Sequence, residues 1–236
     1  MKVLAFALSL VLMAGVAMAS EFPRVDEDLR TYDEHVSLLQ AEFNAQPTRP
    51  DDKKWVSAKI AHMVDVDQYT RNFANTPFEH SYSKDEESEF WTNFHPRWLS
   101  VDAKNTSDLK DLLAKYAWFS ISAFDAETDA KAWLLVQHAD EDPEFQRSVL
   151  KVLADLYPKG ETSPRNYAYL YDRVAASWRD DTKRTLQRYG TQGTCVGPQK
   201  WEPLPIEEPA NLDERRQSVG LEPMSEYLKQ IQPYCH

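Results

Sequence analysis

The chain has 236 residues and an acidic composition, with 27 lysines and arginines against 38 aspartates and glutamates, a formal net charge of −11 at pH 7. Such a surface repels nucleic acid and anionic lipid, so the composition argues against both as partners. A chain of this length suits one domain with a substantial core.

Residues 1–19 have the features of a secretory signal peptide. Lys2 precedes an apolar run from Val3 to Met18, and Ala17 and Ala19 supply the small residues of a cleavage site. The run is short for a spanning helix, which needs about 20 apolar residues, although an uncleaved anchor is the alternative. We therefore predict cleavage after Ala19 and a periplasmic or secreted mature chain without membrane insertion. Removal of Lys2 leaves 26 basic and 38 acidic residues, a net charge of −12.

Two amphipathic helices are predicted at the start of the mature chain. From Arg24 to Asn44 apolar residues recur every three or four positions, the pattern of a helix with one buried face. Prolines at positions 47 and 50 end this helix, and an aspartate at 51 or 52 can cap a second one that runs to about Asn75. We treat residues 20–50 as an N-terminal helix that precedes a single mostly helical domain, residues 51–236.

The segment 76–100 contains six aromatic residues, and two interpretations are open. The rings could form a ligand-stacking surface, or they could pack on the domain core, which we favour. A short helix over residues 84–93 is predicted to stop at Pro96, and a separate helix is predicted to start at Asn105.

The remainder of the chain predicts more helices and one extended element. Asp142 with Pro143, and Ser163 with Pro164, have the cap-plus-proline pattern of a helix start. Residues 186–204, rich in glycine and proline, predict a small β-hairpin or extended arm. Other helices are predicted over residues 127–138, from a capping box at Asn211 to Gly220, and over 224–231. The fold class is therefore mainly α with a minor β element.

Polar groups crowd the end of the predicted helix 127–138. His138 is followed by Asp140, Asp142 and Glu144, and both the helix dipole and these carboxylates favour an imidazolium. A histidine beside carboxylates can act as a general acid or base, so His138 and Asp140 are the candidate catalytic residues. The alternative is a histidine that only caps a helix. No His-x-x-x-His pair or cysteine cluster supports a metal site at His138, Asp140 and Asp142, so no metal or cofactor is predicted.

Three other stretches carry polar groups that could bind a ligand. Asp67, Gln68 and Arg71 lie on one predicted helix, where the aspartate and arginine can pair. Arg173, next to Asp172, could clamp a carboxylate or phosphate, or hold Asp140 or Glu144 structurally. In a predicted extended segment, Gln187, Tyr189 and Thr191 share one face, and the amide of Gln192 follows them.

The two cysteines, Cys195 and Cys235, are 40 residues apart. In an oxidising compartment they could form a disulfide, which we predict from the signal-like N-terminus. Two unpaired thiols are the alternative.

Several ordered motifs resemble those of a bacterial family of unknown function, the one numbered 6624. They include Gln137-His138-Ala139-Asp140, Tyr171-Asp172-Arg173-Val174 and Gln187-x-Tyr189-Gly190-Thr191-Gln192, within roughly residues 55–231. The resemblance implies no activity, but it implies that the polar residues of the motifs converge. This set is Asp67, Gln68, Arg71, Gln137, His138, Asp140, Asp172, Arg173, Gln187, Tyr189, Thr191, Gln192, Arg215 and Arg216.

Two functions fit these features. The first is an exported small-ligand-binding or hydrolase/lyase-like protein with a polar site around His138, Asp172–Arg173 and Gln187–Gln192, acting on a small polar ligand. The second is a non-catalytic interaction or structural protein in which the same groups form a buried network and a protein is the partner.

Overall fold

The computed structural model of the protein describes residues 20–177 and 181–235, and the predicted signal peptide at 1–19 lies outside the described residues. The described chain is mostly helical with a small antiparallel hairpin, which confirms the predicted fold class and the N-terminal helix. No helix in these ranges is both long and apolar enough to cross a membrane. The helices are α1 (Pro23–Asn44), α2 (Lys53–Phe73), α3 (Thr76–Glu79), α4 (Lys84–Tyr116), α5 (Ala126–Gln137), α6 (Pro143–Leu156), α7 (Pro164–Ala176), α8 (Leu212–Ser218) and α9 (Met224–Ile231). The strands are β1 (Gly193–Gly197) and β2 (Lys200–Pro203).

The main core lies where α2, α4, α5, α6 and α7 meet. Each of these helices contributes at least one buried aliphatic side chain, and burial of such a side chain stabilises the fold by about 1.5–3 kcal/mol. One example from each helix is Ile60, Leu109, Leu135, Leu153 and Leu170. The same contacts bring together the helix ends that carry the polar residues.

A second, aromatic core joins α1 to α2 and α4. Tyr32 of α1 packs edge-on against Phe94, with ring centroids 5.2 Å apart, and its hydroxyl is 2.9 Å from Thr70 Oγ1. Phe90 is fully buried beside Phe94. Most of the aromatic residues in segment 76–100 therefore pack against the fold, although Phe78 is exposed.

Helix α4 is continuous, so the predicted break at Pro96 and the predicted helix start at Asn105 are wrong. A proline inside a helix costs about 3 kcal/mol because it removes one backbone hydrogen bond and crowds the preceding turn. Phe94 before the proline and Leu109 after it are both fully buried, and their burial exceeds that cost. Asn105 is a buried residue whose amide donates to the carbonyl of Met63 at 3.3 Å.

The C-terminal segments form a small unit around the hairpin. Trp201 of β2 packs edge-on against Tyr227 of α9, and a disulfide joins Cys195 of β1 to Cys235. Helix α8 begins close to the predicted position, but the predicted capping box is wrong, because Asn211 makes no side-chain cap and donates to Glu208 instead.

Candidate functional site

The centre of the site is a contact between Asp67 of α2 and His138, the residue that ends α5. The Nδ1 atom of His138 is 2.9 Å from both carboxylate oxygens of Asp67 and 2.8 Å from Nε of Arg71. Asp67 is buried and also accepts a hydrogen bond from the amide of Gln68 at 2.7 Å. The residues predicted at 67, 68, 71 and 138 therefore meet at one point.

The protonation states of His138 and Asp67 depend on their burial and on their contacts with each other and with Arg71. Burial lowers the pKa of His138 below its usual 6.5, in spite of the Asp67 carboxylate, which raises it. The sequence-based expectation of a favoured imidazolium is therefore wrong. Burial alone would raise the pKa of Asp67, but its contacts with His138 and Arg71 hold that pKa below its usual value. Near neutral pH the pair is a neutral imidazole beside an ionised carboxylate.

The hydrogen bonds select one tautomer of His138. A single Nδ1 atom cannot both donate to Asp67 and accept from Arg71, and an ionised carboxylate is the stronger acceptor. The proton therefore lies on Nδ1, and Nε2 carries a lone pair. Nε2 has no hydrogen-bond partner among the described residues, and it is not sealed from solvent. A carboxylate that orients an imidazole in this way is the usual support of a histidine base.

Arg71 connects this pair to α4. Its Nη2 donates to Asp102 at 2.8 Å, and its guanidinium lies over the ring of Trp98, 4.9 Å from the centroid. The indole of Trp98 donates to the other oxygen of Asp102 at 3.0 Å. Burial nevertheless raises the pKa of Asp102 to about 6 against the lowering effect of Arg71. This carboxyl group therefore titrates close to neutral pH.

Arg173 of α7 connects the loop after α5 to the hairpin region. Its Nε donates to Asp140 at 2.9 Å and its Nη2 donates to the other oxygen of the same carboxylate, while Nη1 donates to Gln192 at 3.0 Å. The buried amide of Gln146 also donates to Asp140, at 3.1 Å. The three predicted polar clusters are thus joined through one arginine.

A solvent-facing cleft of about 270 Å³ lies against these groups. Arg71, Asp102, Asp140 and Arg173 line it, so ionisable side chains from four parts of the chain face the same space. His138 lies one side chain behind this wall, in contact with Arg71. The other lining residues are Trp91, His95, Trp98, Leu99 and Glu141.

Asp172 has a different environment from its neighbour Arg173. It is fully buried, and residues 188–191 wrap around its carboxylate. The backbone N–H groups of Arg188, Tyr189 and Thr191 donate to it at 2.8, 3.1 and 2.8 Å, and the hydroxyl of Thr191 donates at 3.0 Å. Burial raises its pKa and these four donors oppose the rise. Asp172 therefore shapes this segment.

Gln187 closes the same segment. Its Oε1 accepts from the backbone N–H of Gln192 at 2.7 Å, and its Nε2 donates to the carbonyls of Gln192 and Leu204, both at 2.8 Å. Tyr189 is buried in a small apolar cluster with Val219. The predicted ligand-facing edge is therefore a buried turn whose polar groups bond to one another.

Residues 62–234 match a family described as Family of unknown function (DUF6624). The chain belongs to this family. The match confirms the resemblance drawn from the motifs and their order. Helix α1 and the first turns of α2 precede the matched residues. No curated protein and no solved structure matches the chain.

Some polar residues of the DUF6624 region lie away from the cleft. Gln137 is buried, and with its amide oxygen turned toward α7 it accepts from the backbone N–H of Leu170 at 2.9 Å. Arg216 is fully buried and donates to the carbonyl of Tyr189 at 2.7 Å, while Arg215 donates to that of Arg188 at 2.8 Å. These side chains support the fold around the site.

A metal site at His138, Asp140 and Asp142, which the sequence did not support, would require these three side chains to converge. In the structure Asp142 caps α6 and pairs with Lys110, and so it faces a different part of the surface. Within residues 20–177 and 181–235, no group of three or more metal-binding side chains is placed to hold an ion.

Asp102, Trp98 and Gln146 belong to this DUF6624 site but were not predicted from the sequence. Asp102 follows Trp98 by four residues, a spacing that would have placed them together on α4 if that helix had been predicted as continuous. Gln146 follows Asp140 by six residues, and its contact with that carboxylate depends on how α6 folds back on the end of α5.

Proposed function

We propose that this DUF6624 protein binds a small polar molecule in the cleft and catalyses acid–base chemistry on it, of the hydrolase or lyase type. The observation that carries the proposal is a pair of titratable groups, Asp102 in the wall of the cleft and His138 directly behind that wall. His138 has a lowered pKa and a free lone pair, while Asp102 has a pKa near 6. Ionisable groups with perturbed pKa values that cluster at a cleft are typical of catalytic sites.

Each residue has a distinct role in this proposal. His138 accepts a proton through Nε2 from a water molecule, and Asp67 holds the ring and stabilises the imidazolium that results. Asp102, when protonated, can donate its proton to a leaving group. Arg71 and Arg173 provide fixed donors in the wall of the cleft, held in place by their carboxylate partners.

The lining of the cleft favours a neutral polar or weakly charged molecule. Arg71 and Arg173 already pair with Asp102 and Asp140, so neither brings an unbalanced positive charge for a strong anion. The partly exposed rings of Trp91 and Trp98 offer flat apolar surface beside these polar groups.

The proposal includes export from the cell. The signal-like pattern of residues 1–19 and the disulfide between Cys195 and Cys235 support a periplasmic or secreted protein, since disulfides persist in oxidising compartments. Under this proposal residues 1–19 are removed and the remaining chain acts outside the cytoplasm.

A second candidate function is non-catalytic interaction, with the polar groups as a structural network. The full burial of Asp172, and its saturation by four donors, favours this role for the half of the predicted site around residues 187–192. It does not account for the lone pair of His138 or for the ionisable groups that face solvent in the cleft.

A hydrolysis screen tests the first proposal. Wild-type protein is assayed against nitrophenyl esters, phosphodiesters and glycosides, beside His138→Gln and the matched control His35→Gln, an exposed histidine on α1. We expect turnover of at least one class, a loss of about 100-fold or more in His138→Gln, and no loss in the control, with equal helicity by circular dichroism. Absence of turnover across the panel, or equal turnover in His138→Gln, would overturn the assignment.

A further inference from the structure

A second cavity, of about 410 Å³, lies between α1 and the pair α2–α4. Helix α1 is fixed at both ends of it. Tyr32 packs in the aromatic core at one end, and Phe43 packs on Trp55 and stacks on His62 at the other. Between these anchors the helix passes over open space. The cavity shares no lining residue with the cleft described above.

The floor of this cavity is apolar but contains one side-chain oxygen without a partner in the described part of the chain. Met63, Val66 and Val101 are buried and line it. Asn105 also lines it and is only 6% exposed, and its Nδ2 donates to the carbonyl of Met63. Its Oδ1 has no hydrogen-bond partner within the described part of the chain, and this oxygen is open to solvent. This oxygen can therefore accept a hydrogen bond from a donor on a molecule that fills the cavity.

The charged residues of the wall carry a positive excess. Lys59 and Lys104 both pair with the one carboxylate of Asp108, Lys59 at 2.8 Å. Arg97 pairs with Asp33 at 2.8 Å. Three cations thus face two carboxylates, in a protein whose net charge is −11. One additional carboxylate beside Lys59 and Lys104 would balance the wall.

We propose that this cavity binds a small organic monoanion that has an apolar body and one O–H or N–H donor. Its carboxylate pairs with Lys59 and Lys104, its body covers Met63, Val66 and Val101, and its donor reaches Oδ1 of Asn105. The volume lies in the lower part of the range for small-molecule sites. This inference stands apart from the proposed catalytic function, since it concerns a different space and different residues.

Three ligands of matched shape test the charge requirement: 4-hydroxyphenylacetate, 4-hydroxyphenylacetamide and tyramine. Isothermal titration calorimetry on the full chain should show that the anion binds about tenfold tighter than the neutral amide, with the cation weakest. Lys104→Met should reduce the affinity for the anion by about fivefold or more and leave the amide unchanged. Lys104 is 63% exposed, so this change spares the fold.

Two further variants locate the site. Gln40→Trp places a bulky ring in the cavity from an exposed position of α1 and should abolish binding of all three ligands. Lys229→Met, a lysine of α9 that does not line the cavity, is the matched control and should bind as wild type does. Equal affinity for the three ligands, no binding of the anion, or full binding by Gln40→Trp would each overturn the inference.

Discussion

Replacement of Asp172 by asparagine tests whether its carboxylate organises the segment after α7. Asparagine keeps the shape but turns one acceptor oxygen into a donor, so at least one of the buried N–H groups of Arg188 and Thr191 loses its partner. An unsatisfied buried donor costs about 1–3 kcal/mol, and each lost bond to a charged group is worth about 1.5–3 kcal/mol. Loss of a buried charge recovers part of its desolvation cost. We therefore expect a net destabilisation of about 2–4 kcal/mol, out of a total of about 5–15 kcal/mol.

Urea unfolding followed by circular dichroism at pH 7 measures this difference. The matched control is Asp213→Asn, since Asp213 also accepts a backbone N–H, that of Met224 at 2.7 Å, but at an exposed site. The control should lose less than about 1 kcal/mol. A loss below about 1 kcal/mol in Asp172→Asn, or equal losses in both variants, would refute the assignment of Asp172 to a structural role.

Three other predictions concern pH, the long helix and the disulfide. Because the folded-state pKa of Asp102, about 6, lies above its ordinary 3.8, the folded protein retains a proton that the unfolded chain releases, so stability falls as the pH rises from 4 to 6. Urea unfolding at pH 4 and at pH 7 measures this change. Between these two pH values the unfolding free energy of wild type should fall by up to about 3 kcal/mol more than that of Asp102→Asn, and parallel pH profiles of the two proteins would contradict this. Pro96→Ala should raise the unfolding free energy by about 1–3 kcal/mol in the same assay, because it restores a bond to the carbonyl of Thr92, and a decrease would show that α4 depends on the proline. Cys195→Ser should lower the unfolding free energy by about 4 kcal/mol, by the loop-entropy relation. Reductant should destabilise wild type but not this variant. If reductant destabilises Cys195→Ser as well, the disulfide is not the cause of that sensitivity.

Local signals predicted most of the helices of the fold. Asp142 with Pro143 starts α6, and apolar periodicity marks α1, because capping and amphipathicity act within a few residues. The break predicted at Pro96 failed because burial on both sides of the proline depends on distant helices. Because of that error Asp102 was not predicted as a site residue. It fell between two predicted helices instead of on the helix face that meets Arg71.

The positions of the polar groups were easier to predict than their roles. Arg173 and Asp140 do meet, as one interpretation of the sequence expected. Alternation predicted an exposed edge from Gln187 onward, whereas the segment folds around Asp172. No local pattern distinguishes an outward-facing amide from one that, like Gln187, bonds the backbone of its own turn. The turn forms because the carboxylate of Asp172, on another part of the chain, binds its backbone N–H groups.

The protonation state of His138 tests the central claim most directly. Long-range ¹H–¹⁵N NMR on labelled protein, with the signals of this ring assigned through His138→Gln, reports both the tautomer and the pKa. We expect a neutral ring at pH 7 with its proton on Nδ1, a lone pair on Nε2, and a pKa below 6.5. An imidazolium at pH 7, or a neutral ring protonated on Nε2, would contradict the proposal that this histidine is the base of the site.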